Sequence, residues 1–233
     1  MIEIAYTPAW FHGKDIVIDL ISTFVLSLVA AFSVKYYSLD RKNKNYLYLS
    51  LSFFMLAVAF LFKILTNFTL YYHEIETKHY GLFSMTYHTI ESDSLFFIGF
   101  LLYRILTLIG LYALYSIYQK NNSKFNFIFV AVLLIITAYL SQFSYYVFHV
   151  VSLILLGYII YNYYGISKNS KNITSKLLFT SFAIISLTQI GFIFIFLYPP
   201  IYVMSEIVQL LGYIGLLITF ILVLKLGKKK KQA

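Results

Sequence analysis

Seven long runs of apolar residues divide this chain, and short polar segments separate them. The pattern predicts helices at about 16–37, 46–71, 94–118, 125–142, 145–164, 177–198 and 202–226. A helix rises about 1.5 Å per residue, so about 20 apolar residues cross a hydrocarbon core about 30 Å thick. Six runs reach that length and the fourth is near the lower limit. Between the fourth and fifth runs, Ser141-Gln142-Phe143-Ser144 is the only polar break in a stretch of about 40 residues, too many for one ordinary span. A turn there gives seven spans; a bent, re-entrant passage would give six. Pro199-Pro200 is expected to end the sixth helix, because neither residue offers a backbone N–H.

Charge orients these spans, because Lys and Arg collect in cytoplasmic loops. Basic residues alternate strictly along the chain: Lys35, Arg41, Lys42 and Lys44, then Lys120 and Lys124, then Lys168, Lys171 and Lys176, then Lys225 and Lys228, Lys229, Lys230 and Lys231. The intervening segments carry only Lys14 and Lys78 as bases, and all the acids but Asp40 lie at or toward them. Only an odd number of spans places the tail beside the other basic loops. The expected architecture is therefore an all-α integral membrane protein, a seven-transmembrane-helix bundle with N-terminus outside and C-terminus cytoplasmic. It forms a single membrane domain over 1–233, with 227–233 as a basic cytoplasmic tail. Lys228 to Lys231 read as a topology anchor that also attracts anionic lipid, at about 1 kcal/mol per base near the surface. A nucleic-acid partner is not expected for so short a tail beside a membrane.

Composition agrees: 61% of the 233 residues are hydrophobic and 12% are charged, against about 25% charged in soluble domains. The 23 Tyr suit the two interfaces, where one end of the ring is wet. The absence of Cys excludes disulfides, thiolate metal sites and a cysteine nucleophile. The first apolar run begins only near Ile16 and is long enough to span, so no cleavable signal peptide is expected.

Four ionisable residues interrupt the spans: Asp19, Lys63, Arg104 and Glu206. A charge in the bilayer centre costs at least about 2.5 kcal/mol, so each needs a partner or water. Counted from the predicted helix ends, Asp19 and Glu206 lie one turn inside the outer boundary, Lys63 about 12 Å and Arg104 about 15 Å below it. If helix 7 closes on helix 1, the four can meet in one network with Asn67, His149, Gln189 and Gln209. The expectation is a polar cavity, open to the outside, that holds a ligand or an ion pair. Arg104 either pairs with Asp19 or Glu206, lines a ligand site or snorkels, and its depth makes snorkelling awkward.

The 72–93 connection carries His73, His79, His88 and Glu91. Imidazole and carboxylate are ligands for Zn²⁺, Ni²⁺ or Cu²⁺, so these residues are a candidate metal set. A solvated acidic loop accounts for the same composition, and HExxH is absent.

Helix 7 has no Lys before Lys225, which removes a retinal Schiff base, and no cofactor is expected. GxSxG, a Walker loop and GxGxxG are absent as well. Phe11-His12-Gly13-Lys14-Asp15-Ile16 leading into helix 1, and Asn45-Tyr46-Leu47-Tyr48-Leu49-Ser50-Leu51-Ser52-Phe53-Phe54 opening helix 2, resemble a family of uncharacterised prokaryotic, mostly archaeal, seven-helix membrane proteins. The layout is also similar to the seven-helix input domains of prokaryotic sensor proteins. The resemblance implies a multi-pass protein of a prokaryotic cytoplasmic membrane and no particular activity. Taken together, the expectation is a non-enzymatic sensor or receptor-like module, or a membrane subunit that recruits a cytoplasmic or membrane protein partner. Its output would come from that partner, since the chain stops seven residues after helix 7. The alternative is a transporter or channel for a small solute or ion.

Overall fold

In a computed structural model of the chain, the backbone is described for residues 8–11, 13–39, 41, 43–73, 77–80, 83–86, 90–117, 119, 124–169 and 173–232. Side chains are described for the same residues except 9, 39, 69–73, 77–80, 83–86, 90–94, 124, 169, 224 and 226–232. These residues form seven α-helices: α1 Lys14–Leu39, α2 Asn45–His73, α3 Ile90–Ser116, α4 Lys124–Leu140, α5 Tyr145–Asn169, α6 Ile173–Ile193 and α7 Pro200–Gln232. All but α4 are long and apolar enough to cross a membrane, the make-up of a multi-pass membrane protein.

The packing separates the same six from α4. α1 packs on α2 and α7, α2 on α3, α3 on α5, α5 on α6 and α6 on α7, which closes a ring. α4 stands outside the ring, against α3 and with little contact to α5. Its buried residues are Leu134 and Ala138, whereas Phe125, Ile128, Phe129, Val132 and Ile136 are exposed. Large apolar side chains such as Leu20, Phe24, Phe54, Leu65, Leu187 and Leu211 likewise cover the outside of the ring. Lipid tails solvate that surface at no cost, whereas water would not.

Inside the ring, Leu26, Phe53, Leu108, Leu114, Leu156, Ile159 and Leu216 are fully buried. Rings meet edge-on at Phe53–Phe220 (5.8 Å) and Phe60–Tyr213 (5.5 Å), the arrangement that aromatic quadrupoles favour. Hydroxyls in the spans bond back to the preceding turn, as Ser33 does to the Val29 carbonyl and Thr23 to that of Asp19. Close approach of α6 and α7 depends on three glycines, Gly191 of α6, where a Cβ would collide with Ser205 Oγ, and two of α7. A Cβ at Gly212 would lie 2.5 Å from Ile185 Cγ1, and one at Gly215 would lie 2.5 Å from Ser181 Oγ.

The predicted helices are present; α3 and α6 each start four residues early and α5 ends five residues late, and four further differences stand out. First, the 72–93 connection contains an antiparallel hairpin, β1 Thr77–Tyr80 and β2 Phe83–Thr86, with Thr77 opposite Thr86. Second, α6 ends at Ile193, five residues before the predicted end. Tyr145 Oη donates to the Ile193 carbonyl at 3.0 Å, and a 3₁₀ turn Ile195–Leu197 follows. Third, α7 starts on Pro200, where the missing N–H is one of the helix's unpaired donors anyway. Fourth, α7 runs on through Lys228–Lys231 to Gln232, so 227–232 continue the helix rather than form a separate tail. Its 33 residues span about 50 Å, well beyond a 30 Å core.

Candidate functional site

Three charged side chains from three helices converge inside the ring. Lys63 of α2 donates from Nζ to Asp19 Oδ1 of α1 at 2.9 Å and to Glu206 Oε1 of α7 at 2.6 Å. Asp19, Lys63 and Glu206 are 0%, 7% and 1% exposed. The second oxygens, Asp19 Oδ2 and Glu206 Oε2, are buried without a hydrogen-bond partner among the described residues. Lys63 Nζ also lies 5.5 Å from the Phe60 ring centroid, where the ring's π face attracts a cation.

Each helix carries this site as a stripe at helical spacing. On α7 the stripe is Tyr202, Glu206, Gln209 and Tyr213, at steps of four, three and four. On α1 it is Asp15, Asp19, Ser22 and Thr23; on α2 it is Asn67 and Lys63. One turn from the triad toward Phe11, Asn67 Nδ2 donates to Asp15 Oδ2 at 3.0 Å. An aromatic layer closes that end. Phe11 is buried and meets Tyr202 edge-on at 6.5 Å, and Tyr202 meets Phe192 at 5.9 Å. The cluster is therefore sealed in this structure, rather than lining the expected open vestibule.

On the side of the triad away from Phe11 lies a central cavity of about 20 Å³, the room of one water molecule. Its polar lining includes Tyr103, Thr107, Ser152, Gln189, Gln209 and Tyr213. Ser152 Oγ is buried and has no hydrogen-bond partner among the described residues. On the same cavity's side away from the triad, Phe53, Leu56, Leu111, Leu156, Ile185 and Leu216 supply an apolar floor.

His149 and Gln189 form a separate pair between α5 and α6, Nδ1 to Oε1 at 2.9 Å, with the imidazole stacked on Phe192 at 5.1 Å.

Arg104 departs from the expected network, since it forms no ion pair among the described residues. It donates from Nη1 to Ser141 Oγ at 2.9 Å, and its guanidinium carbon lies 4.1 Å from the Phe100 ring centroid. The reason is a misjudged depth. Arg104 is 14 residues into α3, about 21 Å from its start, yet it meets Phe148, three residues and about 5 Å into α5. The start of α3 therefore projects well past the start of α5, and the α4–α5 turn with Ser141 is recessed to the level of Arg104. Lys63 shows the same effect. It is ten residues from the end of α2, but it meets Asp19 and Glu206, five and six residues into their helices.

The sequence reading did not place Asp15, Ser141, Ser152 or Tyr202 in the site. Asp15 and Tyr202 were detectable as residues four before Asp19 and Glu206. Ser141 had no signal, because its role depends on where the turn sits. The side chains of His73, His79, His88 and Glu91 lie outside the described residues, as do those of Lys228, Lys229, Lys230 and Lys231. Among the described residues, no three His, Asp or Glu side chains gather as a metal site.

The arrangement can hold a small positive species between two carboxylates. It offers a carboxylate pair, one ammonium and no activated nucleophile among the described residues. No protein-family model, curated protein or solved structure matches this chain.

Proposed function

We propose that this chain is a receptor-like or sensor module of a prokaryotic cytoplasmic membrane, crossing it seven times with its N-terminus outside. It detects a small ligand in its outer half and passes the response to a protein partner. The observation that carries this reading is the one-sided distribution of buried charged and amide side chains along the ring axis. Asp15, Asn67, the Asp19–Lys63–Glu206 triad and the amides Gln189 and Gln209 occupy one half, above the apolar floor of the central cavity. A carrier needs a polar route to both faces, whereas a sensor needs only a site and an element that moves. α1, α2 and α7 meet at the triad, and α7 runs on from it to the basic end. A ligand would enter by parting the Phe11–Tyr202–Phe192 layer.

Transport of a small cation is the second reading, favoured by the small cavity, lined in part by hydroxyls and amides, one turn from the triad. Flux into liposomes separates the two. The sensor reading predicts no movement of H⁺, Na⁺, K⁺ or small organic solutes above empty vesicles, together with a partner that co-purifies in fixed ratio from native membrane. Saturable flux that is lost in Lys63→Met would establish the carrier instead.

A further inference from the structure

We infer that the Asp19–Lys63–Glu206 cluster binds one monovalent cation in addition to Lys63, either a proton or a sodium ion, on the free oxygens of its two carboxylates. The inference rests on the sensor reading for its consequence, and on geometry alone for the binding itself.

Two carboxylates face one ammonium, so the cluster is short of one positive charge, and all three groups are buried. A buried cluster with net charge is unfavourable unless a counter-charge accompanies it. Among the described residues, the surroundings do not supply one. On α1, Asp15 adds an acid one turn outward, where it binds Asn67. On α3, Arg104 is turned toward Ser141 and Phe100, and Tyr103 contributes a hydroxyl. On α5, His149 is engaged with Gln189 of α6. On α7, Tyr202 lies close to Lys63 and Tyr213 lines the cavity below, and both are neutral.

Geometry then gives the position. Lys63 occupies one oxygen of each carboxylate, and Asp19 Oδ2 and Glu206 Oε2 remain buried and unpaired among the described residues. Each is an acceptor that has lost water and gained no donor, which the native state avoids. A proton converts one of them to a donor; a sodium ion is a hard cation that carboxylate oxygens ligate. Within the triad itself the deficit is one charge, which a monovalent species balances. Binding removes the repulsion between α1 and α7 across Lys63, and release restores it, so occupancy controls how tightly these two helices close.

The test uses the full chain in detergent micelles, in sodium-free buffer at neutral pH. Infrared spectroscopy reads the carbonyl band of a protonated carboxyl, and thermal melting is followed in sodium chloride against choline chloride. A proton predicts a band that disappears in Glu206→Gln or Asp19→Asn and persists in Asp15→Asn. Sodium predicts no such band, a melting midpoint raised by sodium but not choline, and loss of that rise in both Glu206→Gln and Asp19→Asn. Labelling aspartate or glutamate carboxyls with ¹³C shifts the band without any substitution, should a variant fail to fold. The inference is overturned if the wild type shows neither the band nor the sodium effect, or if whichever signal it shows survives both Glu206→Gln and Asp19→Asn. These readouts involve neither flux nor a partner, so the sensor reading stands or falls separately.

Discussion

Replacing Lys63 with methionine removes the ammonium that joins α1 to α7 and keeps most of its volume. Its contacts with Asp19 and Glu206 are 2.9 and 2.6 Å long. At an effective dielectric constant of about 20, each is worth about 6 kcal/mol of Coulomb attraction. Part of that is offset, because the ammonium no longer has to be desolvated, at several kcal/mol per ion. Breaking a buried pair in this way leaves a net cost of about 3–5 kcal/mol. Glu206→Gln acts differently. The amide oxygen still accepts from Lys63, and the excess negative charge is gone, so the change stays within about 1 kcal/mol. The triple variant Lys63→Met, Asp19→Asn, Glu206→Gln recovers most of the loss, because no uncompensated charge remains. Unfolding in mixed micelles by titration with a denaturing detergent measures all three. The reasoning fails if Lys63→Met is as stable as the wild type, or if Glu206→Gln is as damaging as Lys63→Met.

Arg104→Leu costs about 1–2 kcal/mol in the same assay, less than Lys63→Met, because it breaks a hydrogen bond to Ser141 and no ion pair among the described residues. His149→Phe leaves the buried Gln189 amide unpaired and destabilises by about 1–3 kcal/mol; adding Gln189→Leu returns most of it, which a double-mutant cycle measures. Gly212→Ala forces Ile185 away and costs about 1–3 kcal/mol despite the better helix propensity of alanine, read as a lowered melting temperature. The chain has no cysteine, so single cysteines report sidedness cleanly in sealed vesicles. The exposed positions Trp10, Phe143 and Tyr198 label from outside, and Ser38, Gln119 and Lys168 from inside. Labelling of Gln119 and Phe143 from the same side would remove the span at α4.

The helices were legible because apolar runs of this length have one stable form in lipid, where every backbone group must be paired within the segment. The turn at 141–144 was legible for the complementary reason, as the one place with polar side chains to serve an open backbone. The ends were less so. Proline marks where a helix cannot continue, but α6 stops earlier because Tyr145, distant in sequence, donates to its last carbonyl. The hairpin in 77–86 has little hydrophobic alternation, so it read as loop. At the site, Asp19, Lys63 and Glu206 stood out as charges within apolar runs, and ring closure between α1 and α7 brought them together. Arg104 was misplaced because depth was counted from helix ends, as though all helices began at one level. α2 and α3 project past their neighbours, which no single run of sequence records.

The central claim is that Lys63 links two helices through two carboxylates at once. Solid-state NMR in lipid bilayers tests it directly, with ¹⁵N on the lysine amine and ¹³C on the aspartate and glutamate carboxyls. The account predicts dipolar coupling from one lysine Nζ to both an aspartate and a glutamate carboxyl, with the first lost in Asp19→Asn and the second in Glu206→Gln. Coupling to only one carboxyl, or to neither, would contradict it.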